Sequence, residues 1–308
     1  MVHVGADDEP PDADTAAELA SLPVVVVVVP TDGGAPPPAW SEVADVLIAP
    51  GDDSLTDLVA MVGRHPLASV AYAVLLRDAE RRGRAAGLIA ESATYSMLQG
   101  GPEFGAWRAG RPRREPRASS GDVVRVERHD DVLVLVLDRP EVRNALSSRL
   151  RDQLLDAIEL ARADDSVRRV ELRGAGPAFC AGGDLDEFGS FADPASAHRV
   201  RLEHSIGREL GALGERLVAF VHGACYGSGI ELPAFAPTVV ADPGASFALP
   251  ELDLGLVPGA GGTVSITARI GRHRTAWLGL TGRVIDASTA KAWGLVDRLE
   301  PVAPAPSH

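Results

Sequence analysis

Positive charge is in short supply. Against 43 Asp and Glu the chain sets only 30 Lys and Arg, a formal net charge of -13. An acidic field repels phosphate backbones, and no basic stripe with interleaved aromatics overrides it, so nucleic acid is excluded as a general partner. An anionic ligand would need local arginines of its own. Cysteine is scarce too: Cys180 and Cys225 are the two present, both in apolar surroundings and without metal-ligand spacing. They read as reduced, buried thiols of a cytoplasmic protein, and no metal site is expected. The N-terminus lacks the basic region of a secretory signal. The apolar run Val24 to Val29 is far shorter than the roughly 20 residues that span a bilayer, so no membrane partner is expected. Bracketed by Pro23 and Pro30, it reads as a buried strand. No internal repeat of fixed period is present.

The 308 residues, 45% hydrophobic and 24% charged, suit a soluble protein with one large α/β domain, alone or with a smaller appendage. Residues 1–21 are acidic and proline-bearing and are expected to be a disordered tail. Residues 22–109 read as a small, mainly helical module. After the valine strand and a loop, "TDGGAPPPAW", comes a second strand at "VADVLIAP". Leu55, Leu58, Val59 and Val62 then mark one apolar helical face, and helices are expected near 66–82 and 85–98, with a short one to Trp107. "AGRPRREPRASSG", with its proline, serine and like charges, makes 110–121 a linker. Beyond it strands and helices alternate. "VVRVERHDDVLVLVLD" predicts a hairpin, "SSRLRDQLLDAIELARAD" a helix, and "VRRVELRG" and "RLVAFVHG" strands. That order points to an α/β architecture with its ligand site in loops at strand ends.

Two glycine-rich turns follow two of those strands, "GPAFCAGGDLDEF" and "GACYGSGIELP". Turns of this kind expose backbone N–H groups suited to an oxyanion. The second also holds Glu231 between apolar stretches, an expensive place for a charge unless chemistry uses it. A dinucleotide fingerprint fails because "GSGIEL" has leucine at the third glycine position, and "GLVPGAGGT" lacks the lysine of a P-loop. "GACYG" fits the cysteine form of a nucleophile elbow, for which His273 and Asp242 or Asp253 could complete a triad.

A further reading joins both turns to a second carboxylate. "RPEVRNAL", "GAGPAFCAGGDLDEF", "VHGACYGSGIELPAFAPTVVADPGASFALPELDLGLVPGAGGT" and "GRVIDASTAKAWGLVDRL" resemble the enoyl-CoA hydratase/isomerase (crotonase) superfamily over about residues 122–302. The resemblance implies a crotonase-like ββα spiral core and an acyl-CoA substrate, with coenzyme A as part of that substrate and no separate cofactor. It implies an oxyanion hole from the backbone N–H groups of Gly183 and Ser228, although the family usually has glycine where Ser228 stands. It also implies a catalytic pair, Glu231 and Glu251. Adding water to a 2-enoyl thioester needs a base for water, an acid for C2 and stabilisation of the enolate oxygen. Glu231 is assigned to the water and Glu251 to C2. Double-bond isomerisation, for which one carboxylate suffices, and a non-catalytic scaffold are the alternatives. Arg139 and Arg143 are implied to meet the nucleotide end of coenzyme A. Ala181, Asp184, Leu185 and Gly259 are implied to form substrate-binding surface, with Asp184 also holding its turn. His198 and His204 read as exposed helix residues, not ligands.

Family members continue for several helices beyond the segment matching "GLVDRL", helices that cover the site and build a trimer or hexamer, whereas this sequence stops at "EPVAPAPSH". The helical segment 54–109 is therefore expected to supply the cover or the subunit contact of a homo-oligomer.

Overall fold

A computed structural model describes residues 2–4, 9, 11–30, 38–49, 51–112, 121–190 and 193–306. Most of the expected linker and of the loop after the valine strand lies outside these residues. The chain opens with β1 (Val2–Val4), α1 (Ala13–Ser21), β2 (Val27–Pro30) and β3 (Val46–Leu47), the three strands forming a parallel sheet in the order β1-β2-β3. Helix α1 replaces the disorder expected there. Asp12 caps it by accepting from Thr15 N–H at 2.8 Å, and the alanine-rich run then propagates it although none of its side chains is buried.

Four helices follow: α2 (Leu55–Arg64), α3 (Pro66–Arg77), α4 (Arg84–Gln99) and α5 (Pro102–Ala109). Proline at the first position of α3 and α5 starts each without sacrificing a helical hydrogen bond. In α2 the buried positions are Leu58 and Met61, while Val59, expected inward, faces solvent.

The larger part begins with the hairpin β4 (Val124–His129) and β5 (Val132–Leu137), antiparallel as expected. It continues through α6 (Ser148–Ala163), β6 (Arg169–Gly174), α7 (Pro194–Glu203), α8 (Ile206–Ala212), β7 (Leu217–Val221), β8 (Ala224–Tyr226), α9 (Ser228–Glu231), β9 (Thr238–Ala241) and β10 (Ser246–Ala248). The last elements are α10 (Gly262–Thr281, broken at Gly271), β11 (Ile285–Asp286), α11 (Ala287–Trp293) and β12 (Arg298–Leu299). One sheet runs β12-β9-β7-β6-β5-β4, parallel except at the hairpin; a second runs β11-β10-β8. β5, "VLVLVL", is buried along nearly its whole length, as a strand covered on both faces must be. Helix α6 covers the sheet with Leu150, Leu154, Ile158 and Ala161, a stripe at helical spacing whose start Ser147 caps through Leu150 N–H. Among the described residues no single helix is long and apolar enough to cross a membrane.

The N-terminal helices share a hydrophobic core with the larger part. Leu58, Tyr72, Leu76, Tyr95 and Phe104 pack with Leu252, Leu256, Val257, Ala276 and Leu280. Polar ties run across the same boundary: Tyr72 Oη donates to the Thr275 carbonyl at 2.8 Å, Trp277 Nε1 to Ser54 Oγ at 2.8 Å, and the Arg272 guanidinium to the Ala44 carbonyl at 2.7 Å. Helix α4 packs against α7, α8 and α10, which brings it to the wall of the site described next.

Candidate active site

The two glycine turns are hydrogen-bonded side by side. Phe179 N–H donates to His222 O at 2.9 Å and Tyr226 N–H to Cys180 O at 3.1 Å, with Cys180 and Cys225 facing across a parallel bridge. The first turn is pinned on its other flank by the loop after β5. There Asn144, in left-handed backbone and fully buried, donates through Nδ2 to the carbonyls of Ala175, Ala178 and Phe179 at 2.8 to 3.0 Å. Leu146 N–H reaches Gly182 O, and Asp184 N–H reaches Leu146 O. Gly183 and Ser228 thereby line the same cavity, and among the described residues neither N–H has a protein acceptor. The Ser228 hydroxyl lies 3.6 Å from Cys180 Sγ; its partner is a thiol in the core.

The cavity encloses about 200 Å³ and is also lined by Glu231, Glu251, Asp184, Gly259 and Phe188. Glu231 is 2% exposed, and its Oε2 accepts from Ala260 N–H and Gly262 N–H, each at 2.8 Å. Burial pushes its carboxyl up to about 7, against the pull of these donors. Glu251 is 8% exposed, and its Oε2 is buried without a hydrogen-bond partner. Burial first, and then the charges of Glu231 and Glu91, hold it well above the usual carboxylate range. Gly259 earns its lack of a side chain: a Cβ there would sit 2.6 Å from the Tyr95 ring.

Of the other expected residues, His204 also lines the cavity, whereas Arg139, Arg143, Ala181, Leu185 and His198 do not. Arg139 is 5% exposed and is committed to Asp184 Oδ2 at 3.1 Å and the Ala145 carbonyl at 2.7 Å. This corrects its assignment to the coenzyme A nucleotide, because a guanidinium so enclosed braces the loop. Asp184 holds its turn by accepting from Asp186 N–H at 3.2 Å. Arg143 is exposed, with left-handed backbone, and its carbonyl receives Ala181 N–H at 3.0 Å. Arg143, Ala181 and Leu185 are outside the cavity lining. His204 is exposed beside Asp152, whereas His198 is half-buried with Nδ1 2.8 Å from Ser92 Oγ.

The thiol-nucleophile reading fails on geometry. Cys225 is fully buried, its Sγ directed at the His222 and Gly223 carbonyls, and burial raises its thiol well above the usual value. His273 is 3.3 Å from the Asp45 carbonyl, on the N-terminal side of the fold.

The sequence reading expected cover or subunit contact from segment 54–109 but named none of its residues at the site: from α4, Leu88, Glu91, Ser92, Tyr95 and Gln99 line the cavity together with Arg201 from α7. Arg201 lies over the Tyr95 ring, 4.5 Å from its centroid. The available signal was Glu91 itself, an acid in helical register with Gly87, Tyr95 and Leu98, all buried.

A mixed α/β fold with two paired glycine turns and buried carboxylates at strand ends defines the class. Within it, the sequence profile of the enoyl-CoA hydratase/isomerase family matches residues 127–305. The chain belongs to that family. It is 36% identical over 176 residues to the 2,3-dehydroadipyl-CoA hydratase of Escherichia coli K12, covering 57% of this chain and 68% of that one. Against the mitochondrial enoyl-CoA hydratase of Pongo abelii it is 34% identical, covering 57% of this chain and 60% of the relative. Among solved structures, the enoyl-CoA hydratase of Thermoplasma volcanium superposes with TM-score 0.55 at 34% identity, over 58% of this chain and 72% of that one.

Proposed function

We propose that the protein hydrates the double bond of a 2-enoyl-CoA thioester, or runs the reverse dehydration. The observation that carries this reading is the convergence of the buried Glu231 and Glu251 on one cavity lined also by Gly183 and Ser228, whose N–H groups have no protein acceptor among the described residues. The thioester carbonyl accepts from those two N–H groups, which then stabilise the enolate oxygen; such a donor is typically worth about 3 kcal/mol. Glu231, part ionised near neutrality, takes a proton from the water as its oxygen bonds to C3. Glu251, kept protonated by burial, delivers its proton to C2. The cycle leaves Glu231 protonated and Glu251 ionised, and proton exchange with solvent resets both. Coenzyme A enters as part of the substrate and no separate cofactor is invoked. Arg143 is the exposed cation proposed for its nucleotide end.

Curated relatives carry hydratase names for 2,3-dehydroadipyl-CoA and mevalonyl-coenzyme A. Their common element, hydration of a CoA-bound acyl group, is what is carried over. The test is to incubate the full chain with crotonyl-CoA, a longer 2-enoyl-CoA and a 3-enoyl-CoA and to resolve products by chromatography. A 3-hydroxyacyl-CoA from the 2-enoyl substrates is expected. Shift of the 3-enoyl double bond without hydration would instead mark an isomerase, and no turnover of any substrate would mark a scaffold.

A further inference from the structure

Four successive backbone N–H groups open α10, and two buried carboxylates divide them. Glu231 takes Ala260 and Gly262; Glu91 takes Gly261 N–H at 2.7 Å and Thr263 N–H at 2.8 Å, together with the Thr263 hydroxyl at 2.7 Å. Glu91 comes from α4, far away in the sequence, is 2% exposed, and lines the same cavity. A helix start with unsatisfied N–H groups attracts one negative charge readily. Two carboxylates at the same end are a different matter, because each disfavours ionisation of the other.

We propose that Glu91 is a positioning residue of this site: by clamping the alternate N–H groups of the segment that holds Glu231, it fixes that carboxylate in place, so that the two titrate as a coupled pair. The proposal rests on the hydration reading above for its catalytic consequence. The groups facing Glu91 are Glu231 from α9, Glu251 from the turn after β10, Tyr72 from α3, Tyr95 on its own helix and Arg201 from α7, while His198, also on α7, bonds the neighbouring Ser92 hydroxyl. Arg201 is the fixed cation of this set, and its partners are the Ser92 and Ser96 hydroxyls and the Tyr95 ring. Burial and the neighbouring Glu231 raise Glu91 to about 8, in accord with two carboxylates competing for one charge. A residue that merely capped α10 would titrate without regard to Glu231.

The test uses the full chain, its glutamates labelled with ¹³C at the side-chain carboxyl, as wild type, Glu91→Gln, Glu91→Ala and Glu231→Gln. The carboxyl resonance lost in Glu91→Gln identifies Glu91. In Glu231→Gln its titration midpoint is expected to fall, since the like charge of Glu231 has gone. Glu91→Ala is expected to lower kcat by about 10- to 100-fold with KM within about threefold, because a misplaced catalytic group costs rate more than binding. If Glu91→Ala does not fold, the Glu91 midpoint in Glu231→Gln decides alone. An unmoved Glu91 midpoint in folded Glu231→Gln overturns the proposal. Should the wild type hydrate no enoyl-CoA, the hydration reading fails, while the carboxyl titration still decides whether Glu91 and Glu231 are coupled.

Discussion

Gly227 and Glu251 touch across the site: a Cβ built on Gly227 would lie 2.3 Å from Glu251 Oε1. Gly227 also has φ 51° and ψ -122°, a conformation that side chains rarely adopt. The turn proposed to bind the thioester oxygen and the carboxylate proposed to protonate C2 are thus in direct contact. Gly227→Ala is expected to displace Glu251, cut hydration at least about tenfold and cost roughly 1–3 kcal/mol of stability. Steady-state kinetics beside urea denaturation measure both effects.

The neighbouring position should behave differently. Ser228 offers its backbone N–H to the cavity and its hydroxyl to Cys180, so Ser228→Gly is expected to leave kcat/KM within about threefold. Ser228→Pro removes the N–H as well as the hydroxyl at the first position of α9, where proline fits a helix. It should lower kcat by about 10²- to 10³-fold, the usual loss for an oxyanion donor. Parallel kinetics on the two variants separate backbone from side-chain roles.

Stability should fall as pH rises through neutrality. Unfolded glutamates ionise near their ordinary value of 4.5, whereas Glu231 and Glu91 in the fold are raised to about 7 and about 8. Between those limits the folded chain binds more protons than the unfolded one, so the stabilisation present at low pH is lost as pH climbs through the folded values. Thermal melts are expected to show a higher Tm near pH 5.5 than near pH 8.5. Glu231→Gln and Glu91→Gln should each flatten that slope, and a Tm that rises with pH over this range would contradict the assignment.

Removing residues 1–118 should abolish folding of the remainder. It would strip Tyr72, Leu76, Tyr95 and Phe104 from Leu252, Leu256 and Leu280 and expose that apolar surface to water. Loss of a cooperative melting transition is the expected result. A truncated chain that melts cooperatively and hydrates enoyl-CoA at the full rate would contradict it.

Much of this arrangement was legible from residues close together in the chain. The strands at "VLVLVL" and "VELRG" announce themselves by apolar runs and alternation, and the pairing of Glu231 with Glu251 follows from motifs whose resemblance spans the intervening segment. Contacts between distant segments were not legible. Nothing local says that Glu91, inside "LIAESATYS", turns toward Gly261 and Thr263 some 170 residues on. Arg139 failed for the converse reason. An arginine in a proline-marked turn looks solvated until Asp184, from another loop, closes over it. Helix α1 was missed because its acids and prolines suggested disorder, while Asp12 in fact supplied the cap.

The central claim is that two glutamates of one cavity share the addition of water, and the hydration rate of Glu231→Gln and Glu251→Gln tests it most directly. With crotonyl-CoA followed by absorbance loss, each variant should lose about 10²- to 10⁴-fold in kcat, the range for general acid or base catalysis, while Cys225→Ala stays near wild type. Hydration at the wild-type rate by either folded glutamine variant would contradict the account.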